Sequence, residues 1–140
     1  MPLIVDQPQL VADWVASRLG ETAPTVDSAI GYESDGELRA GVYFDGLSGG
    51  NIFCHIASTT EMLPVGLLCA VAAYMFQQLK LSRATFPVDA GNEKVRTMLK
   101  GMGAEHEATL RGVYEDRDML LYTLRGSDPY PRRLLSSWRH

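Results

Sequence analysis

Residues 49–79, "GGNIFCHIASTTEMLPVGLLCAVAAYMFQQL", decide how this chain folds. In the first part Ile52, Cys54 and Ile56 alternate with Phe53, His55 and Ala57, a period of two that sends the two sets to opposite faces of a strand. Both sets are mostly apolar, so the strand belongs at the centre of a sheet covered on both sides. From Pro64 onward "PVGLLCAVAAYMFQQL" is apolar almost all round, the pattern of a helix packed on a sheet and covered in turn. Pro64 suits the first turn of that helix, where its missing N–H has no partner to lose. Between strand and helix lies the loop Ser58–Gly66, "STTEMLPVG".

The flanking sequence supplies the remaining elements. "PLIVD" reads as a short first strand, and "PQLVADWVASRLG" as an amphipathic helix with Leu10, Val11, Trp14, Val15 and Leu19 at helical spacing and Gly20 at its end. Residues 26–33 and 37–45, joined by "SDG", read as a hairpin. After the central helix come a strand in "SRATFPV", a helix in "DAGNEKVRTMLKGMGA" closed by Gly103, and a strand pair, "EHEATLRGVY" and "RDMLLYTLRG". The order is β-α-β-β-β-α-β-α-β-β: an α/β (α+β) chain with a mixed, mostly antiparallel sheet and helices on both faces. One domain over residues 1–125 is expected, followed by a basic tail, 126–140, whose prolines break regular structure.

At 140 residues and 46% hydrophobic composition the chain has the size and composition of a single folded domain. The net charge of −4 is uneven, with nine basic and sixteen acidic residues in 1–124 against four basic and one acidic in 125–140. The acidic body disfavours nucleic acid and anionic membranes as partners. Cys54 and Cys69 sit in apolar runs without metal-ligand spacing, as expected of reduced core thiols in a cytoplasmic protein. The segment 65–76 is well short of the roughly 20 apolar residues that span a bilayer. Neither a metal site nor a membrane span is expected.

The element order and the segments "AIGYESDGELRAGVYFDGLSGGNIFCHIAS", "FQQLKLSRATFPVDAGNEKVRTMLKGMGAEHEATLRG" and "DRDMLLYTL" resemble the GCN5-related N-acetyltransferase (GNAT) superfamily, and within it the small GNAT-like proteins encoded by tailed bacteriophages. The resemblance implies that acetyl-CoA lies between the splayed fourth and fifth strands. It also implies that the pyrophosphate rests on amides at the start of the following helix, where free N–H groups and the helix dipole favour an anion. It assigns Ile56, Ala57, Ser58, Thr60, Val65, Gly66 and Asn92 to cofactor binding. Two positions depart from the family pattern. The loop keeps only Gly66 of the usual glycines, carries Glu61, loses an amide at Pro64, and no Lys or Arg falls between Arg39 and Lys80. At the position of the family's thiolate-protonating tyrosine stands Leu99, with Tyr114 or Tyr122 as possible substitutes.

Two functions from different classes follow. In the first, an acyl-CoA-dependent N-acetyltransferase, an amine acceptor attacks the thioester, β-strand amides near Ile56 and Ala57 polarise the carbonyl, His55 takes the amine proton, and Tyr114 protonates the leaving group. Glu33 and Asp45 are further acidic candidates at hairpin ends, and His106, flanked by glutamates, reads as a surface residue. In the second, the fold serves as a structural or binding module, such as a phage virion or host-interaction protein. There Arg132, Arg133 and Trp138 in the tail, residue types enriched at interfaces, contact a partner, a second copy or the chain's own domain.

Overall fold

The computed structural model describes residues 2–137. Its elements are β1 (Leu3–Ile4), α1 (Pro8–Arg18), β2 (Ser28–Ser34), β3 (Glu37–Asp45), β4 (Phe53–Ser58), α2 (Val65–Ala72) running into a π-helical segment (Ala73–Gln78), β5 (Arg83–Asp89), α3 (Glu93–Gly101), β6 (Glu105–Leu110), β7 (Met119–Arg125) and α4 (Pro129–Ser137). The seven strands form one sheet in the order β1-β2-β3-β4-β5-β7-β6. Every pairing is antiparallel except β4 with β5.

The period-two alternation sorts the core into two layers. Ile52, Cys54 and Ile56 join Val42, Phe44, Phe86, Leu120 and Leu124 on the face covered by α2 and α3. Tyr43 and Ala57 lie on the opposite face under Val11 and Val15 of α1. α1 can approach that closely because Gly31 and Gly41 stand beneath it: a Cβ on Gly41 would fall 2.9 Å from Val15 Cγ2. Gly20, at φ +72°, ends α1 in a conformation that costs glycine little.

The tail departs from the expectation that its prolines break regular structure, because residues 129–137 form α4. The amide of Arg132 is the first to bond back, to the carbonyl of Asp128. Pro129 and Pro131 therefore occupy first-turn positions whose N–H groups have no intrahelical acceptor in any helix. Pro131 is buried against the main core, whereas Arg132 and Arg133 are exposed. Trp138 lies outside the described residues. Among the described residues no helix is long and apolar enough to cross a membrane, and no group of three His, Cys, Asp or Glu side chains could hold a metal ion.

Candidate active site

β4 and β5 pair only near their starts. Phe53 pairs with Thr85, the Thr85 amide donates to the Ile52 carbonyl at 2.9 Å, and the strands then diverge. Backbone groups alternate sides along a strand, so Cys54, Ile56 and Ser58, in phase with Ile52, turn their amides and carbonyls toward β5, and those of Ile56 and Ser58 lie past the paired residues, in the opening. Ala57, paired with Gly41, turns its groups toward β3. Of the two amides expected near a reacting carbonyl, only that of Ile56 faces the splay.

On the α1 side the splay opens into a cleft of about 360 Å³, with His55, Asp89, Asn92, Tyr114 and Arg117 among its lining residues. His55 is held twice. Its ring stacks on Tyr43, opposite it on β3, with centroids 4.3 Å apart and planes 13° from parallel. Its Nε2 lies 2.8 Å from Asp45 Oδ1. A carboxylate can only accept, so Nε2 carries a proton, and in the neutral ring Nδ1 holds the free lone pair. Glu33, the other acidic candidate of the hairpin, is exposed at the opposite end of β2 and β3 from Asp45.

The far wall is set by Arg117. Its guanidinium grips Asp89 through Nε and Nη2 at 2.9 Å each and lies over the Tyr114 ring at 5.9 Å. This fork ties the β6–β7 turn to the end of β5 and brings Tyr114 to the cleft. Hydrogen bonding from Arg117 holds the Asp89 carboxyl below its usual range. Burial, followed by the charges of Glu21 and Asp89, raises the Tyr114 phenol, and burial with Asp45 and Glu21 pushes Tyr43 up to about 12. Both phenols therefore stay protonated, and hence able to donate, at neutral pH. Asn92 caps α3, accepting from the Val95 amide at 3.2 Å, and also lines the cleft.

The remaining sequence-derived positions lie on the other face or in the loop. Leu99 has 0% exposure and Tyr122 2%, both within the main core. His106 is exposed on β6, bonded to Thr109 Oγ1 at 2.9 Å. In the loop the hydroxyls are already engaged: Ser58 Oγ lies 2.7 Å from Thr60 Oγ1, Thr60 donates to the Met62 carbonyl at 2.6 Å, and Thr59 donates to the Arg39 carbonyl at 3.0 Å. The first turn of α2, with Val65 and Gly66, has no side-chain cap. A cation absent from the loop's own sequence reaches it from α3, where Lys94 Nζ donates to the Ser58 carbonyl at 2.7 Å.

The fold is similar to that of solved acetyltransferases, one of them described as of the GNAT family. A probable acetyltransferase superposes at TM-score 0.57 and 22% identity over 69% of this chain and 60% of that one. Mutant forms of the spermidine/spermine N-acetyltransferase SpeG from Vibrio cholerae superpose at TM-score 0.68 and 13% identity over 94% and 97%. A GNAT-family acetyltransferase from Bacillus anthracis superposes at 0.64 and 11% over 91% and 97%. The chain thus spans 60% of the first of these structures and nearly all of the other two. At such identities the likeness is one of fold. No protein-family model matches the sequence, and no curated protein sequence matches it.

Proposed function

We propose that this chain transfers an acyl group from an acyl-CoA thioester to an amine within the β4–β5 cleft. The observation that carries the reading is the His55–Asp45 pair: a histidine oriented by a carboxylate at 2.8 Å, on the strand whose free edge lines the splay. Acyl-CoA would supply the electrophilic carbonyl. His55 Nδ1 accepts the proton of the incoming amine while Asp45 holds Nε2–H and steadies the imidazolium that results. The Ile56 amide, turned into the splay, is the donor suited to a developing oxyanion. Tyr114, protonated at neutral pH, is the donor on the opposite wall.

The residues at the start of α2 fit the cofactor's phosphates. For the phosphates, the first-turn amides of Val65 and Gly66 stand free of side chains, nothing crowds Gly66, and Lys94 brings the positive charge that the loop lacks. Beside them a groove of about 220 Å³ stays open between Leu63 and Leu68 on one side and Met98 and Met102 on the other, while Tyr130, Pro131 and Leu134 of α4 fill the deeper seat over Ile56 and Phe86, leaving about 20 Å³ there.

The engaged loop hydroxyls and the Leu99 core position favour a second reading, a GNAT-fold binding or structural module without catalysis, such as a phage virion component. Calorimetric titration with acetyl-CoA and desulfo-CoA separates the two. Micromolar binding is expected under the first reading. No heat at millimolar ligand would leave the second.

A further inference from the structure

β5 has neighbours on both sides, β4 and β7, yet carries Pro87 in its interior. A proline inside a sheet removes a ladder hydrogen bond and is ordinarily confined to edge strands or bulges. Toward β7 the proline costs nothing. The Gly126 amide donates to the Ser82 carbonyl at 3.2 Å and the Ala90 amide to the Asp118 carbonyl at 2.9 Å, so the even positions from 82 to 90 bond to β7. Leu121, opposite Pro87, therefore asks nothing of its nitrogen. The odd positions face the other way. Arg83 donates to the Gly50 carbonyl at 3.1 Å and Thr85 to the Ile52 carbonyl at 2.9 Å. The next rung of that series would run from residue 87 to the Cys54 carbonyl, and Pro87 has no N–H to give. The pairing of β4 with β5 ends at this rung, after Phe53 with Thr85, and Cys54, Ile56 and Pro87 all line the cleft that opens there.

We infer that Pro87 is the positioning residue that holds the cleft open, because it cannot donate the hydrogen bond that would carry the β4–β5 ladder past Thr85. Its bearing on the reaction rests on the acyl-CoA reading above. In a parallel ladder a paired residue bonds the partner strand through both its amide and its carbonyl. Extending the register to His55 with residue 87 would take the amide of residue 87 to the Cys54 carbonyl and the Ile56 amide to the carbonyl of residue 87. The second bond would consume the donor suited to the developing oxyanion. Pro87 thus keeps the Ile56 amide available and the strands apart, without itself taking part in the chemistry.

The test separates the missing N–H from the ring. Pro87→Ala supplies the amide, at a position that is half-buried rather than in the core. Lactic acid incorporated at the same position, an ester with the side chain of alanine, removes the ring and still has no N–H. Hydrogen exchange followed by NMR reads the amide of residue 87 in Pro87→Ala, and calorimetric titration with desulfo-CoA compares both variants with the wild type. In Pro87→Ala that amide is expected to exchange roughly a hundredfold or more slower than an open one. Desulfo-CoA binding is expected to weaken about ten- to a hundredfold, since two new bonds must break on binding. The ester variant is expected to bind as the wild type does. Free exchange at residue 87 would show that the strands stay apart without the proline and would overturn the inference, leaving the acyl-CoA reading standing. A slowly exchanging amide with binding unchanged, or an ester variant that binds as weakly as Pro87→Ala, would overturn it as well. If no protein, wild type included, binds desulfo-CoA, the acyl-CoA reading fails; slow exchange at residue 87 then still supports the parting of the strands by Pro87, and free exchange still overturns it.

Discussion

Leu99 offers a test of how the site is laid out. If Leu99 faced the cleft, Leu99→Tyr would place a donor there at little structural cost. The side chain has 0% exposure and sits in the main core with Val95 and Met102, which predicts the opposite. Enlarging a packed core side chain costs about 1–3 kcal/mol. A phenol hydroxyl stranded without a partner costs about 1–3 kcal/mol more, for roughly 2–6 kcal/mol in a domain whose total stability is of order 5–15 kcal/mol. With a urea dependence near 2 kcal/mol per molar, the unfolding midpoint should fall by roughly 1–3 M. Leu99→Met, which conserves volume, should lose less than about 1.5 kcal/mol. Equilibrium urea unfolding followed by circular dichroism measures both. A midpoint unchanged for the tyrosine variant, with a phenol that titrates near its ordinary value, would mean that the position faces the cleft and that the packing described here is wrong.

Other consequences can be checked independently. Asp45→Asn should lower acyl-transfer turnover roughly ten- to hundredfold, a fraction of the general-base effect, with the unfolding midpoint nearly unchanged; a shift of His55 toward the Nδ1–H tautomer, seen by nitrogen NMR, would accompany it. Glu107, bonded first by Arg83 and then by Thr123, is held at about 2 against an ordinary 4.5. Its folded value lies below its unfolded one, so its contribution to stability is complete above about pH 4.5 and is lost as pH falls from there through 2. Carboxyl NMR titration should show this, and Arg83→Met should return Glu107 toward 4.5. Gly41→Val should cost about 1–3 kcal/mol by overpacking, since even a Cβ would meet Val15 Cγ2 at 2.9 Å and Val11 Cγ1 at 3.2 Å; a midpoint like that of the wild type would contradict the close seat of α1.

Most of the scaffold was legible because it rests on patterns of period two and 3.6. The alternation through residues 52–57 correctly divided the two layers of the core, and the apolar run after Pro64 correctly marked the buried helix. α4 leaves no plain sign in the sequence, because prolines signal a break and only their first-turn positions make them compatible with a helix. The lapse of the central helix into a π-helical turn at Ala73–Gln78 left no compositional sign in so apolar a run. In the site, His55 stands out by its residue type on a central strand and Asp45 as an acidic residue at a hairpin end, but their pairing does not. Asp45 is ten residues away and becomes a diagonal neighbour only through the β3–β4 register, in which Asp45 faces Phe53 and Tyr43 faces His55. Laying that antiparallel register over the sequence would have revealed it. Lys94 could not have been found this way, because its contact with Ser58 depends on where α3 begins over the open end of the splay.

The central claim is that His55 accepts the acceptor's proton in the β4–β5 cleft. Its most direct test is the release of free CoA thiol from acetyl-CoA across a panel of primary amines, comparing the full chain with His55→Ala at matched cofactor occupancy. The account predicts amine-dependent release that falls by about two orders of magnitude in the variant while acetyl-CoA binding is retained. Amine-dependent release at the same rate in both proteins, or none from a chain that binds acetyl-CoA, would contradict it.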